Sequence, residues 1–130
     1  MIALDTSALV AIALEEPDHE PLLLAATTIA SVVGAPTLVE VRLVLESKIA
    51  DANGFIAALL EVSTVRIVPF TMEMYSAAAI AFERYGKGRG HPAQLNFGDC
   101  MAYAVAKTHG VPLLYKGDDF ALTDIRSALK

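Results

Sequence analysis

Short apolar runs alternate with longer stretches of helical spacing along the whole chain. Residues 2–4 are an apolar run too short for a helix, followed by Asp5, two hydroxyls and a second apolar run. That order predicts a buried parallel strand handing over to a helix that starts near Thr6–Ser7. The helix continues over residues 8–15 until Pro17 stops it. Residues 18–28 form a second helix, with Leu22, Leu23, Ala25 and Ala26 on its apolar side. Residues 29–33 make a second buried strand, closed by Gly34. Pro36 then opens a helix over residues 37–50, in which Leu38, Val41, Val44 and Leu45 recur at helical spacing and Arg42 and Glu46 form an exposed pair. Asn53 caps a short helix over 54–62, residues 65–68 form a third strand, and Thr71 caps a long helix reaching Tyr85. Asn96 caps a helix over 100–109 that ends at Gly110, with Pro112 just beyond. Residues 111–115 are the fourth strand, and residues 123–125 add a short edge strand. This alternation predicts a compact α/β sandwich with a mostly parallel sheet.

The chain's 130 residues amount to a single domain, 1–130, burying roughly two-thirds of its unfolded surface. Apolar residues make up 55% of it, a surplus that predicts an apolar partner interface, with a second copy or a dedicated binding protein. The lone Cys100 has no partner for an internal disulfide and points to a reducing compartment. No signal-peptide pattern precedes Asp5, and no apolar run approaches the ~18 residues of a membrane span, so a cytoplasmic protein is expected. The net charge of −5 argues against a general electrostatic grip on nucleic acid. The exception is local: Gly86-Lys-Gly-Arg-Gly-His-Pro92 is Gly-rich and basic. It lacks the spacing of a phosphate loop and reads as a solvated connector, or as a place where Arg84, Lys87 and Arg89 meet phosphates.

Four acidic positions fall at strand ends or on the inner sides of helices: Asp5, Glu40, Asp99, and Asp118 or Asp119. Each has an ordinary structural role open to it. Asp5 or Thr6 caps a helix, Glu40 snorkels from the edge of an apolar stripe, and Asp99 completes a capping box with Asn96. Ligands in open α/β sheets bind just beyond the carboxyl ends of the strands, which is where Asp5 falls. If the strand ends gather there, the acids repel one another unless a cation joins them. Oxygen ligands suit Mg²⁺ or Mn²⁺, whereas His19, His91, His109 and Cys100 show no zinc spacing. Such a site fits metal-assisted phosphodiester hydrolysis.

Leu-Asp5-Thr-Ser-Ala-Leu, Glu40 in Pro-Thr-Leu-Val-Glu-Val, Asn-Phe-Gly-Asp99-Cys and Leu-Leu-Tyr-Lys-Gly-Asp118-Asp-Phe together resemble the PIN-domain ribonucleases. Among these the chain is most similar to the VapC toxins of bacterial toxin–antitoxin pairs, over essentially its whole length. The resemblance implies a PIN-like three-layer α/β/α sandwich and a Mg²⁺- or Mn²⁺-dependent endoribonuclease. It implies Asp5, Glu40, Asp99 and Asp118 as catalytic, metal-site acids, with Ser7, Thr6 and Asp119 in support. It also implies an RNA substrate, a homodimer, and a VapB-type antitoxin that inhibits by occupying the site. One departure stands out. Many relatives carry Thr-x-Asp or Thr-x-Asn after the last strand, where this chain has Lys116-Gly117-Asp118. Asp118 is the positional match, and the adjacent Asp119 is the alternative.

Three other readings compete. A phosphoacceptor receiver domain shares the length, the alternation and a lysine after the last buried strand. It wants paired acids after the first strand, however, and Asp5 stands alone. An Asp-x-Asp phosphatase fails because Ser7 holds the second acid's place. A catalytically idle interaction module of the same fold need not bind metal at Asp5 and Asp99, so metal titration separates it from the enzyme.

Overall fold

The computed structural model describes residues 1–129. Four short strands, β1 (Ile2–Leu4), β2 (Ser31–Gly34), β3 (Val65–Val68) and β4 (Leu113–Leu114), form one all-parallel sheet in the order β3-β2-β1-β4. Six helices join them: α1 (Thr6–Ala13), α2 (His19–Thr28), α3 (Ala35–Glu46), α4 (Ala52–Glu61), α5 (Met72–Tyr85) and α6 (Phe97–His109). Side chains alternate across the pleat. Ala3, Val32 and Leu113 pack with α5 and α6 on one face, while Ile2, Leu4, Val33 and Leu114 pack with α1 to α4 on the other. The result is a three-layer α/β/α sandwich. None of the helices among the described residues is long and apolar enough to cross a membrane.

The strand order fixes where a site can form. The chain moves from β1 outward through β2 and β3, then returns past β1 to place β4 on its other side. The order therefore reverses between β1 and β4, and a crevice opens at their carboxyl ends. Asp5 is the first residue beyond β1, and its N–H donates to Leu114 O of β4 at 2.9 Å.

Several element ends differ from the sequence reading, each for a local reason. Helix α3 starts two residues early, with Pro36 inside its first turn, and stops at Glu46 instead of residue 50. The cap of α4 is Asp51, whose Oδ1 accepts from Gly54 N at 2.8 Å; Asn53 instead accepts from Arg42 Nε. Helix α6 begins at Phe97, three residues before the expected start, because the Asn96–Asp99 box encloses that turn. The edge strand expected at 123–125 is absent. Parallel pairing joins Leu113 to Ser127 instead, and residues 123–124 bend to meet α6. Gly110 closes α6 in the left-handed region, at φ 65°, as its place after the last helical residue predicts.

Candidate metal centre

Asp5 is 3% exposed and uses its two carboxylate oxygens differently. Oδ2 accepts from Ser7 N at 3.0 Å and from Ser7 Oγ at 2.6 Å, which is the capping role. Oδ1 is buried without a hydrogen-bond partner among the described residues. The Ser7 hydroxyl is itself fixed, accepting from Lys116 N at 2.9 Å across the β1–β4 crevice. A buried carboxylate oxygen with no donor is costly, so its retention needs a reason beyond the cap.

The other acids converge on the same edge. Glu40, half-buried on α3, accepts from Thr6 Oγ1, so Thr6 holds Glu40 instead of capping α1. Gly98 makes room for that carboxylate, since a Cβ there would lie 2.5 Å from Glu40 Cδ. Asp99 sits in the first turn of α6. Its Oδ2 accepts from Asn96 N at 3.0 Å, and its own N–H donates to Asn96 Oδ1 at 2.9 Å. Asp118 and Asp119 lie exposed on the turn after β4.

Burial pushes the Asp5 carboxyl up to about 7; the two Ser7 hydrogen bonds oppose the shift, and the charges of Asp99 and Glu40 add to it. Burial also raises Asp99, against its Asn96 hydrogen bond, and the charges of Asp119 and Glu40 raise it further. Of the two adjacent acids after β4, Asp119 is the one whose charge acts on Asp99. Neighbouring carboxylates thus destabilise the ionised forms of Asp5 and Asp99, and a divalent cation would reverse that penalty. Among the described residues no three acidic, imidazole or thiol groups stand close enough to enclose an ion unaided. A small hard cation bound at these acids would have to keep part of its shell as water.

The basic stretch lies at a border of this edge. Gly86 pairs with Leu95 in a parallel bridge, and Lys87 N donates to Leu95 O at 2.8 Å, one residue before the Asn96 cap of α6. Arg84, Lys87 and Arg89 are exposed, and the Arg89 guanidinium lies 5.2 Å from the centre of the Phe82 ring. The structure shows no hydrogen bond or ion pair from these three to the acids among the described residues. Lys116 Nζ points elsewhere, to Glu16 Oε1 at 3.1 Å and Pro17 O at 3.2 Å, and is not the acid-pocket lysine of a receiver domain.

Sequence reasoning missed Gly98, the Thr6–Glu40 bond and the Lys116 N–H. Only the first left a local signal, a glycine placed between a cap and an acid.

Residues 2–125 match the PIN domain family. The chain belongs to that family. It is 43% identical over 126 residues to "Ribonuclease VapC" of Mycolicibacterium smegmatis, covering 95% of this chain and 97% of that one. It is 40% identical to "Ribonuclease VapC30" of Mycobacterium tuberculosis, covering 95% of each. The fold also matches the crystal structure of VapC20 of Mycobacterium tuberculosis, described as a sarcin-ricin loop cleaving toxin. That match has a TM-score of 0.76 at 20% identity and covers 96% of both chains. A toxin–antitoxin complex from Klebsiella pneumoniae matches with a TM-score of 0.72 at 16% identity, covering 100% of this chain and 98% of that one. Kinship with proteins named VapC agrees with the resemblance drawn from the four acidic motifs.

Proposed function

We propose that this PIN-domain protein is a Mg²⁺- or Mn²⁺-dependent endoribonuclease acting in the cytoplasm as the toxin of a toxin–antitoxin pair. The observation that carries the reading is the bare, buried Asp5 Oδ1 at the topological switch point, beside Asp99 and Glu40, whose charges raise the Asp5 carboxyl. Relatives named as ribonucleases, at up to 43% identity, support RNA as the substrate.

In this reading Asp5, Glu40 and Asp99 hold the metal, with Asp118 or Asp119 as the fourth acid; the electrostatic coupling to Asp99 favours Asp119. The metal would lower the pKa of a bound water to supply the nucleophile, and would offset charge on the cleaved phosphate. The protein's own side chains do the positioning. Ser7, held by Lys116 N–H, fixes the plane of the Asp5 carboxylate. Thr6 holds Glu40, and the Asn96 cap holds Asp99. Arg84, Lys87 and Arg89 bind backbone phosphates and guide the strand past α6.

A VapB-type antitoxin and a second copy of this chain are the proposed protein partners. Support for the second copy comes from Val39, Leu43, Tyr75 and Phe97, all more than half exposed. Tyr75 and Phe97 line an apolar cleft of about 440 Å³ with Phe70, Phe82 and Met101, and Val39 and Leu43 line a second cleft that also includes Phe97 and Met101.

Cleavage of total RNA by the purified, antitoxin-free protein tests the reading, with Mn²⁺ or Mg²⁺, with EDTA, and beside Asp5→Asn and Asp99→Asn. Discrete metal-dependent fragments, absent from both variants, are expected. An idle PIN-fold module would give neither cleavage nor metal binding.

A further inference from the structure

One polar cluster has no part in the site described above. Tyr103, 3% exposed, donates its hydroxyl to Asp124 Oδ1 at 2.5 Å, and Lys107 Nζ donates to Asp124 Oδ2 at 2.8 Å. Asp99, Tyr103 and Lys107 are spaced four apart on α6 and so lie along one face of that helix. The segment that follows β4 runs along this face.

That segment is tied at both ends. Lys116 N holds Ser7 Oγ at its start, and Asp124 grips Tyr103 and Lys107 at its end. Between them the backbone is wound tight. Ala121 N donates to Asp118 O at 3.2 Å, and Thr123 N and Oγ1 donate to Phe120 O at 3.0 and 2.7 Å. Phe120 is buried at 3% exposure and packs on Tyr115, with ring centres 5.2 Å apart. Asp118 and Asp119 are thus exposed side chains on a strap with fixed ends.

We propose that the Tyr103–Asp124–Lys107 clasp is a positioning device for the metal centre: it fixes the strap along α6 so that Asp119 stands opposite Asp99. This rests on the metal-dependent ribonuclease reading. The charge of Asp119 acting on Asp99 agrees with it. Geometry supplies the leverage, because the clasp and Asp99 share one rigid helix. A shift at Asp124 moves the strap relative to Asp99 without moving Asp99 itself. None of the three clasp residues touches substrate; all act through Asp119.

The test measures Mn²⁺ affinity of the RNA-free protein by calorimetry for wild type, Tyr103→Phe, Asp124→Asn, Asp119→Asn and the Asp119→Asn/Asp124→Asn double variant. Tyr103→Phe keeps the ring and its packing, so the core stays filled. We expect Tyr103→Phe and Asp124→Asn each to weaken Mn²⁺ binding by about tenfold, the low end for partners that orient metal ligands. In the double variant Asp124→Asn should add little to the effect of Asp119→Asn, since both break the same link. Hydrogen exchange at Ala121 and Thr123 should quicken in metal-free Asp124→Asn. Arg42→Ala, far from the clasp, should match wild type throughout. Wild-type affinity in Tyr103→Phe and Asp124→Asn, or full additivity in the double variant, overturns the clasp alone. Wild type that neither binds Mn²⁺ nor cleaves RNA overturns the ribonuclease reading and the clasp with it.

Discussion

The carboxylate of Glu40 fills the space where a side chain on Gly98 would begin. Gly98 is the second residue of α6, one position before Asp99, so the contact ties the two helices that carry these acids.

Gly98→Ala should therefore separate stability from activity. Alanine in a helix is favoured over glycine by roughly 1 kcal/mol, and the Glu40 carboxylate is the far end of a flexible chain that can swing aside. Thermal unfolding should show an unchanged or slightly raised Tm. RNA cleavage should fall by roughly a hundredfold, as for other small misplacements at a reacting centre. A variant with full activity would mean that Glu40 has no fixed place in the site.

Asp5 sets a pH dependence whose sign follows from its burial. Its carboxyl is raised from 3.8 to about 7, so between those values the folded chain keeps a proton that the unfolded chain has lost. Stability from this group is greatest below the unfolded value and is lost as pH rises through about 7, by on the order of 4 kcal/mol. With EDTA present, Tm should fall between about pH 5 and pH 8. Mn²⁺ should raise Tm at the alkaline end and do little at the acid end, because ligation needs the ionised carboxylate. Asp5→Asn can still cap Ser7 N and should flatten both trends. A wild-type Tm that is level across this range in EDTA would refute the burial argument.

The sequence made legible whatever has a local signature. The strand β1 and the acid after it, the Asn96–Asp99 box, the Gly110 stop and the placing of Glu40 beside the apolar stripe all lie within a few residues of their cause. Long-range features were not legible. Nothing near Thr6 announces that its hydroxyl will meet Glu40, 34 residues away. Asp51 and Asn53 are equally good caps by composition, and the choice between them depends on Arg42 reaching across from α3 to take Asn53. The expected edge strand at 123–125 failed because Asp124 is held by Tyr103 and Lys107, which bend the chain away from the sheet until Ser127. The choice between Asp118 and Asp119 likewise depends on the strap's path over α6.

The basic stretch should be visible in the salt dependence of RNA binding. Each phosphate of a single strand that the protein neutralises steepens the slope of log K against log salt by about 0.7. Replacing Arg84, Lys87 and Arg89 together by alanine should weaken RNA binding by the Asp99→Asn protein, which is expected not to cleave. The slope should become shallower by about 0.7 for each phosphate that no longer meets a cationic side chain. Fluorescence anisotropy across a salt series measures both. An unchanged slope would make the stretch a connector only, its glycines serving the turns at Gly88 and Gly90, where φ is 85° and 80°.

The exposed apolar face beside the site predicts self-association. Leu43 and Phe97 are 62% and 77% exposed, and with Val39 and Met101 they line a cleft next to Glu40. A stable pair needs about 800 Å² buried on each partner, and apolar side chains at its centre supply most of the affinity. Light scattering on the eluting protein should give twice the chain mass for wild type. Leu43→Glu and Phe97→Ser should give the monomer, with Tm read in parallel to show that the fold persists. Glu40 lines the same cleft, so pairing would bring the Glu40 carboxylates of two copies near one groove. Loss of the dimer should then reduce RNA affinity more than it reduces Mn²⁺ affinity. A monomeric wild type would assign the apolar face to the antitoxin instead, and Leu43→Glu would then weaken that complex.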